Sequence, residues 1–431
     1  MSQASVRMWG TVIGAVSWTE HGWANFEYSP DFVSSGIEVS PLVMPLGKQI
    51  FSFPALSRES FHGLPGLLAD SLPDRFGNAL IDSWLASQGR DAISFNPVER
   101  LCYTGTRGMG ALEFVPAIGP VATGSEHIEV AALVELASSI LTQREALTAS
   151  LSEMERRKSM RDILLVGTSA GGARAKAVIA WNSETNEVRS GQLDAPRGFS
   201  HWLLKFDGVS GNKDKELEDS QGFGQIEYAY YLMALASGIE MTECRLLEEN
   251  GRRHFMTRRF DRDKNGVKIH MQSFGALAHY DFNRAGAYSY EQAFAVMRRL
   301  ELPMQSTEEL FRRMSFNVIA RNQDDHVKNI AFLMDRSGHW SLSPAFDVVY
   351  SYNPSGTWTD RHQMTLNGKR DNFSLDDFLA CSKTASMKRG RARIILKEVQ
   401  EAVSHWINFA EKAGLSEIAA VKIGKTHRRI Q

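Results

Sequence analysis

Residues 320–334 have the sequence ARNQDDHVKNIAFLM, and this segment sets the expectation for the whole architecture. Asp324 precedes Asn329 by five residues, on a stretch that connects a predicted amphipathic helix to a predicted apolar strand. In phosphoryl transfer an Asp orients or deprotonates the attacking hydroxyl, while an Asn and a second Asp hold Mg²⁺ against the phosphates. The segment therefore predicts that chemistry, and a solvated polar turn is the structural alternative.

A second carboxylate follows in SPAFDVVY, residues 343–350, just past the next predicted strand. Asp347 is acidic within an otherwise apolar and aromatic stretch. A carboxylate in such surroundings needs a partner, because an unpaired charge is costly to bury. This favours a magnesium site formed by Asn329 and Asp347.

Small residues connect two predicted strands in GTSAGGARAK, residues 167–176. Their backbone N–H groups can approach phosphate oxygens closely. The segment lacks the Gly-Lys-Ser/Thr of the Walker pattern and the dinucleotide-binding fingerprint, so a flexible hairpin loop remains the alternative.

A lysine ends the apolar run of HWLLKFDG, residues 201–208. Lys205 either extends along the sheet edge towards solvent or faces an anion. Glu227 lies near the start of the next predicted helix and is a candidate partner for Lys205; a surface glutamate is the other interpretation.

Composition limits the class of protein. The chain has 431 residues, of which 43% are hydrophobic and 23% charged, which suits two or three packed subdomains and excludes collagen-like, coiled-coil and disordered classes. With 49 Lys and Arg against 50 Asp and Glu, the formal charge is -1, so any nucleic acid must be met by a local patch. The three widely spaced cysteines form no metal knuckle or disulfide framework, and no apolar stretch is long enough for a membrane span. We expect a soluble, cytoplasmic protein without a membrane partner.

Periodicity divides the chain into three regions and predicts an α+β fold. Residues 1–160 form an N-terminal β-plus-helix region, and residues 161–285 form a nucleotide-binding sheet region that begins with a strand at DILLVG, residues 162–167. Residues 286–431 form a mainly helical C-terminal lobe that carries the catalytic loop.

Six segments occur together in the order and at the spacing of the HipA family of toxin–antitoxin serine/threonine kinases, and the resemblance covers essentially the whole chain. They are LADSLPDRFG (68–77), TSAGGARAK (168–176), HWLLKFDG (201–208), TRRFDR (257–262), NQDDHVKN (322–329) and SPAFDVVY (343–350). The resemblance implies a two-lobed kinase fold with an N-terminal β unit, a mainly helical C-terminal lobe and ATP between the lobes.

The resemblance also implies residue roles. Asp324 matches the catalytic Asp, and Asn329 and Asp347 match the magnesium ligands. Ser169 matches the serine whose autophosphorylation silences such kinases. The residues that match ATP-binding positions are Gly171, Gly172, Ala173, Arg174, Ala175, Lys176, Lys205, Arg258, Arg259, Phe260, His326 and Lys328.

This chain departs from the family pattern at two places. Many relatives have an acidic residue at the first hinge position, where this chain has Arg258, so hinge contacts there must come from the backbone. Some members have QED after the hinge, where this chain has Gln272-Ser273-Phe274. Target recognition therefore need not follow that of the best-known members.

The function implied by the resemblance is ATP- and Mg²⁺-dependent transfer of the γ-phosphate to a protein hydroxyl, with an aminoacyl-tRNA synthetase as the implied substrate. A small DNA-binding antitoxin would neutralise the kinase and hold it in a complex on operator DNA. Two alternatives stay open: a small-molecule phosphotransferase of the aminoglycoside type, and a catalytically idle scaffold bound to an antitoxin on DNA.

A basic stretch lies in SKTASMKRGRARIILK, residues 382–397. In an otherwise neutral chain, Lys388, Arg389, Arg391 and Arg393 are candidates for contact with operator phosphates. A solvated helix face is the more common fate of such a run.

Overall fold

The computed structural model describes residues 3–119, 128–142, 162–164, 166–167, 174–191, 197–209, 213–214, 217–218 and 222–431. Residues 168–173 of the expected phosphate loop, which include Ser169, Gly171, Gly172 and Ala173, lie outside the described residues. Among the described residues, helices and strands mix in an α+β arrangement.

The described strands in chain order are β1 Gln3–Met8, β2 Thr11–Trp18, β3 Ala24–Tyr28, β4 Ile50–Ser52, β5 Leu112–Val115, β6 Lys176–Trp181, β7 Val188–Ser190, β8 Ser200–Lys205, β9 Lys213–Asp214, β10 Leu217–Glu218, β11 Cys244–Glu249, β12 Arg252–Arg258, β13 His270–Ser273, β14 Ala331–Met334 and β15 Trp340–Leu342.

The described α-helices are Pro30–Val33, Arg58–Phe61, Gly66–Ala69, Arg75–Ser87, Pro97–Thr104, Val130–Thr142, Phe223–Ala236, Phe274–Ala278, Tyr290–Arg299, Met304–Ile319, Leu375–Thr384, Arg391–Ser404, Trp406–Lys412 and Glu417–Gly424. A short 3₁₀ helix covers Ala92–Ser94. None of the helices in the described parts of the chain combines the length and hydrophobicity needed to span a bilayer.

The N-terminal strands form a five-stranded antiparallel sheet in the order β4-β3-β2-β1-β5. Alternate residues of β1, namely Ala4, Val6 and Met8, are buried, as expected for a strand with one face on the core. The predicted N-terminal β unit is confirmed.

A second five-stranded sheet has the order β11-β12-β8-β6-β7. β11 and β12 form a hairpin, and its turn residues Asn250 and Gly251 have φ values of 48° and 76°. Positive φ at both central residues is typical of the tight hairpin turn that Asn-Gly favours. β8 lies in the centre of this sheet, which places Lys205, at its end, between β6 and β12.

The strand predicted at residues 162–167 is wrong. Residues 162–164 and 166 are helical, and the Gly167 N–H donates to the Ile163 carbonyl at 2.7 Å. Ile163, Leu164 and Val166 are buried in a core that also contains the Arg75–Ser87 helix. A short apolar run is compatible with either a buried strand or a buried helical turn, and packing in this core favours the helical turn.

The C-terminal lobe packs its helices around one large core. Phe311 and Met314 of the Met304–Ile319 helix are buried against Ile395 and Val399 of the Arg391–Ser404 helix. A three-stranded antiparallel sheet, β13-β14-β15, borders this core. A hairpin that turns around Ser337-Gly338 joins β14 to β15.

Candidate active site

Lys205 lies between two carboxylates. Its Nζ is 2.5 Å from Oε1 of Glu227, a residue of the Phe223–Ala236 helix, and it also forms an ion pair with Asp347. Burial would lower the pKa of Lys205, but Asp347 and Glu227 outweigh that effect and raise it above its ordinary value. The lysine is therefore held as a cation.

Asp347 reaches Lys205 from an unusual backbone conformation. Its φ is 56°, in the left-handed region that few residues other than Gly, Asn and Asp adopt. Burial would raise the pKa of Asp347, but Lys205 and Lys176 lower it well below its usual range. Its side chain is 37% exposed, so an ionised carboxylate beside a lysine also faces solvent.

Lys176 lies directly opposite Lys205 in the pairing of β6 with β8. Like charges at directly opposed positions of a sheet repel each other. Lys176 Nζ lies 3.4 Å from Oδ2 of Asp74, and both side chains are almost completely buried. Each lysine of the pair therefore has its own carboxylate partner.

Asp74 belongs to the SLPDRFG segment and begins the Arg75–Ser87 helix. Its Oδ1 accepts a hydrogen bond of 2.6 Å from the Gly77 N–H, so the carboxylate caps the helix. Burial raises the pKa of Asp74 to about 6, against the opposing effect of Lys176. The sequence singled out this segment but did not indicate its contact with Lys176.

Asp324 lies on the loop that follows the Met304–Ile319 helix. Its Oδ1 accepts a 2.7 Å hydrogen bond from Trp358 Nε1, and Nε2 of His326 is 4.0 Å from its Oδ2. Its backbone carbonyl accepts a 2.8 Å hydrogen bond from the Asn329 Nδ2. The amide nitrogen of Asn329 is thereby directed to the loop backbone, and its amide oxygen is the atom that would face a metal.

Asp325 is held differently from its neighbour. Its side chain is 2% exposed and accepts hydrogen bonds from Tyr290 Oη at 2.7 Å, from the Gln363 N–H at 2.8 Å and from His362 Nδ1 at 2.9 Å. A carboxylate with three buried donors is an anchor within the protein, whereas Asp324 is 15% exposed. Of the two adjacent aspartates, Asp324 is the more accessible.

The expected hinge residues have different environments. Arg258 is exposed. Its backbone N–H donates to the Glu243 carbonyl, and its carbonyl accepts a hydrogen bond from the Thr242 hydroxyl. The Arg259 guanidinium is buried in an ion pair with Asp261 at 2.6 Å, so its charge is balanced within the protein. The Phe260 ring lies 5.6 Å from the ring of Phe346, the neighbour of Asp347.

Four further expected residues fall into two groups. Arg174 lies 3.3 Å from the Phe223 ring centroid and helps to lower the pKa of Asp347, while Ala175 is buried directly before β6. His326 and Lys328 both contact Phe282, with the Lys328 Nζ 4.7 Å from that ring centroid and the His326 ring 5.6 Å from it.

The donor set suits magnesium in phosphoryl transfer. Within the described ranges, no three His, Cys, Asp or Glu side chains form a metal cluster. Mg²⁺ at such sites is usually bound by one or two carboxylates together with substrate phosphates and waters. A low-pKa carboxylate at Asp347 and an amide oxygen at Asn329 are compatible with that pattern.

Several site residues escaped the sequence analysis. Trp358, His362 and Gln363 hold the two aspartates, but they are 34 to 38 positions from them and no local pattern marks them. Asp74 lay in a segment already singled out, and its position before a helix pattern was the available signal.

Family comparison agrees with this architecture. The model for the HipA-like C-terminal domain matches residues 168–406, and the model for the HipA N-terminal domain matches residues 4–115. The chain belongs to the HipA family. HipA-family membership and the two-lobed α+β fold expected from the sequence are thus confirmed.

Two curated relatives match part of the chain. A Haemophilus influenzae protein named "Putative kinase" is 32% identical over 103 residues, which are 22% of this chain and 30% of that protein. A Sinorhizobium fredii protein named "Putative kinase Y4mE" is 27% identical over 137 residues, which are 29% of this chain and 32% of that protein. The matches therefore span about a third of the length of these relatives.

Among solved structures, the chain is similar to one from the Shewanella oneidensis MR-1 toxin–antitoxin complex of HipA, HipB and operator DNA. The TM-score is 0.65 at 17% identity, and the match covers 98% of this chain and 94% of that one. At this identity the likeness establishes the HipA fold.

Proposed function

We propose that this HipA-family protein is an ATP- and Mg²⁺-dependent serine/threonine protein kinase that transfers the γ-phosphate of ATP to a protein hydroxyl. The observation that carries the proposal is Lys205, which bridges Glu227 and Asp347. A lysine held by a helix glutamate beside a metal-binding Asp is the arrangement that orients ATP phosphates in protein kinases.

Each residue has a separate task in this proposal. Lys205 neutralises phosphate charge, and Glu227 limits where its ammonium group can point. Asp324 orients the acceptor hydroxyl and takes its proton, while Trp358 holds one carboxylate oxygen of Asp324 in place. Magnesium, bound by Asn329 and Asp347, would supply positive charge to the phosphates.

The ATP contacts of residues 171–176, His326 and Lys328, the hinge contact at residues 258–260 and autophosphorylation of Ser169 belong to the same proposal. So does the division of the chain at residues 160 and 285. They rest on the family resemblance.

We further propose that the protein acts as the toxin of a pair, neutralised by a small DNA-binding antitoxin on operator DNA, with an aminoacyl-tRNA synthetase as the protein substrate. Membership of the HipA family and the similarity to a HipA–HipB–DNA complex support the antitoxin and DNA partners.

The test is incubation of the protein with labelled ATP, Mg²⁺ and a cell lysate, followed by identification of the labelled bands. The Asp347→Asn variant should lose nearly all transfer while keeping its fold, because one charged ligand is removed. Asp335→Asn makes the same substitution in the exposed β14–β15 turn and should retain activity.

Each alternative function gives a different result. A small-molecule phosphotransferase would label small acceptors and no protein. An idle scaffold would label neither. Wild-type activity of Asp347→Asn would show that the kinase site has been assigned to the wrong residues.

A further inference from the structure

Residues 426–430 are far from residues 322–329 in sequence, yet they contact the turn that leads into this catalytic loop. Residues 426–430 follow the Glu417–Gly424 helix, and the N–H of Arg428 donates to the Ile319 carbonyl at 2.9 Å. Arg321 Nε donates to the Thr426 carbonyl at 2.8 Å. The Ile430 N–H donates to Gln400 Oε1 at 2.8 Å. Segment 426–430 is thus bonded to both ends of the turn that leads into the loop.

The guanidinium of Arg428 has three partners in this region. Nη1 donates to the Val318 carbonyl at 3.0 Å and lies 2.9 Å from His362 Nε2, and Nη2 forms an ion pair with Asp371. Arginine carries donors only, so His362 Nε2 must be the acceptor. The ring proton of His362 is therefore on Nδ1, which faces Asp325 Oδ2 at 2.9 Å.

This assignment connects Arg428 to the catalytic loop through one histidine. His362 is 1% exposed, so its tautomer is set by its protein neighbours and not by water. With its proton on Nδ1, His362 donates to Asp325. If Nε2 carried the proton instead, it would face the Arg428 guanidinium, and Asp325 would lose a donor.

The hydrogen bonds that hold Asp325 also restrict the orientation of Asp324. Its carboxylate is held from three directions in the interior, which limits rotation of the peptide that joins it to Asp324. Asp324 then faces the other way, towards Trp358 and His326. The orientation of the proposed base thus depends on how firmly Asp325 is held.

We propose that Arg428 is a positioning residue for the catalytic loop and acts by holding His362 in the tautomer that donates to Asp325. The inference rests on the proposed kinase function for its effect on rate, but its effect on loop order does not. A competing explanation is that Arg428 only caps the Met304–Ile319 helix through the Val318 and Ile319 carbonyls. That explanation predicts a loss of stability without a specific change in residues 322–329.

The matched variants are Arg428→Ala and Arg429→Ala, since Arg429 is the exposed neighbour on the same segment. Amide hydrogen exchange of residues 322–329 should speed up by about tenfold or more in Arg428→Ala and stay unchanged in Arg429→Ala. The kcat of phosphate transfer should fall by about tenfold or more with KM for ATP within about threefold, because Lys205 and Glu227 are untouched. Arg428→Lys should recover part of both losses.

A double-mutant cycle tests the route through the histidine. His362→Asn keeps an amide donor near Asp325 but removes the acceptor for Arg428. If the two residues act together, Arg428→Ala should add little to the rate loss of His362→Asn. Additive losses, or an unchanged exchange rate in Arg428→Ala, would overturn the proposal.

Two further outcomes separate this inference from the kinase proposal. If the wild-type protein transfers no phosphate, the kinase proposal fails, and exchange at residues 322–329 still decides the role of Arg428. If Arg428→Ala does not fold, Arg428→Lys and His362→Asn give the same comparison, and loop exchange equal to wild type in both would contradict the inference.

Discussion

The Asp74 carboxylate lies 3.4 Å from the Lys176 ammonium in the protein interior, and this pair connects the SLPDRFG segment to the sheet that holds Lys205. Asp74 also caps the Arg75–Ser87 helix. One carboxylate therefore stabilises a helix in the N-terminal part of the chain and a charge beside the candidate active site. This contact gives SLPDRFG a physical role that the sequence did not indicate.

Stability should depend on pH through Asp74. Burial raises the pKa of Asp74 to about 6, above the value of about 3.8 expected when the chain is unfolded. The folded protein therefore binds more protons between these values, and the contribution of Asp74 to stability is complete below pH 4 and lost as pH rises through 6. When the pH falls from 7 to 4, the unfolding free energy of the wild-type protein should rise by up to about 3 kcal/mol relative to that of Asp74→Asn.

Urea unfolding at several pH values measures this difference. Asp91→Asn is the control, because Asp91 caps the short Ala92–Ser94 helix from an exposed position. Its difference from wild type should stay nearly constant with pH. A similarly flat difference for Asp74→Asn would mean that the buried pair does not titrate in this range.

Substitution of the two adjacent aspartates should have opposite consequences. Asp324→Asn should abolish phosphate transfer and leave stability within about 0.5 kcal/mol, because its carboxylate is partly exposed. Asp325→Asn should lower the unfolding free energy by about 2–3 kcal/mol, because three buried donors lose a charged acceptor. Denaturant unfolding and single-turnover transfer, measured on both variants, separate the two roles; a stable, inactive Asp325→Asn beside an active Asp324→Asn would reverse them.

The basic stretch should act on DNA through its exposed members only. Lys388, Arg389 and Arg393 are exposed, whereas Arg391 pairs with Glu308 at 2.8 Å. Arg391 is therefore unsuitable for charge reversal, which would disturb the fold. If Arg389 and Arg393 contact two operator phosphates, replacing both by Glu should weaken operator binding by the antitoxin complex. The slope of log affinity against log salt concentration should become shallower by about two.

The control for the DNA experiment reverses charge elsewhere on the surface. Lys48 and Lys264 are exposed lysines outside the basic stretch, and their replacement by Glu changes the net charge equally. Equal operator affinity and salt slope in the two double variants would identify the stretch as a solvated helix face.

Phosphorylation of Ser169 should weaken ATP binding strongly. Ser169 lies outside the described residues, so this prediction rests on chemistry: a dianionic phosphate competes with ATP phosphates for backbone N–H donors and repels the nucleotide. Ser169→Asp should show part of this effect in a nucleotide-binding assay, and Ser169→Ala should bind ATP like the unmodified protein. Phosphopeptide mapping must separate Ser169 from Thr168, and modification of neither after prolonged incubation with ATP and Mg²⁺ would remove self-inactivation.

Much of the local structure could be predicted because its causes are local. The Asn250-Gly251 turn, the alternating strands of residues 6–60 and the helix patterns after residue 290 depend on neighbours in sequence. The failure at residues 162–167 has the opposite cause: Ile163, Leu164 and Val166 became helical in a core formed by distant segments.

The candidate active site likewise has features that local sequence predicts and features that only tertiary contacts determine. Residue types and intervals within 322–329 and 343–350 were sufficient to nominate Asp324, Asn329 and Asp347, because chemistry of this kind needs those side chains at close spacing. Local sequence could not assign Asp325 to the interior, pair Asp74 with Lys176 or bring Arg428 to His362. Those contacts join residues separated by 37, 102 and 66 positions, and they exist only because burial and charge pairing are satisfied in the folded chain.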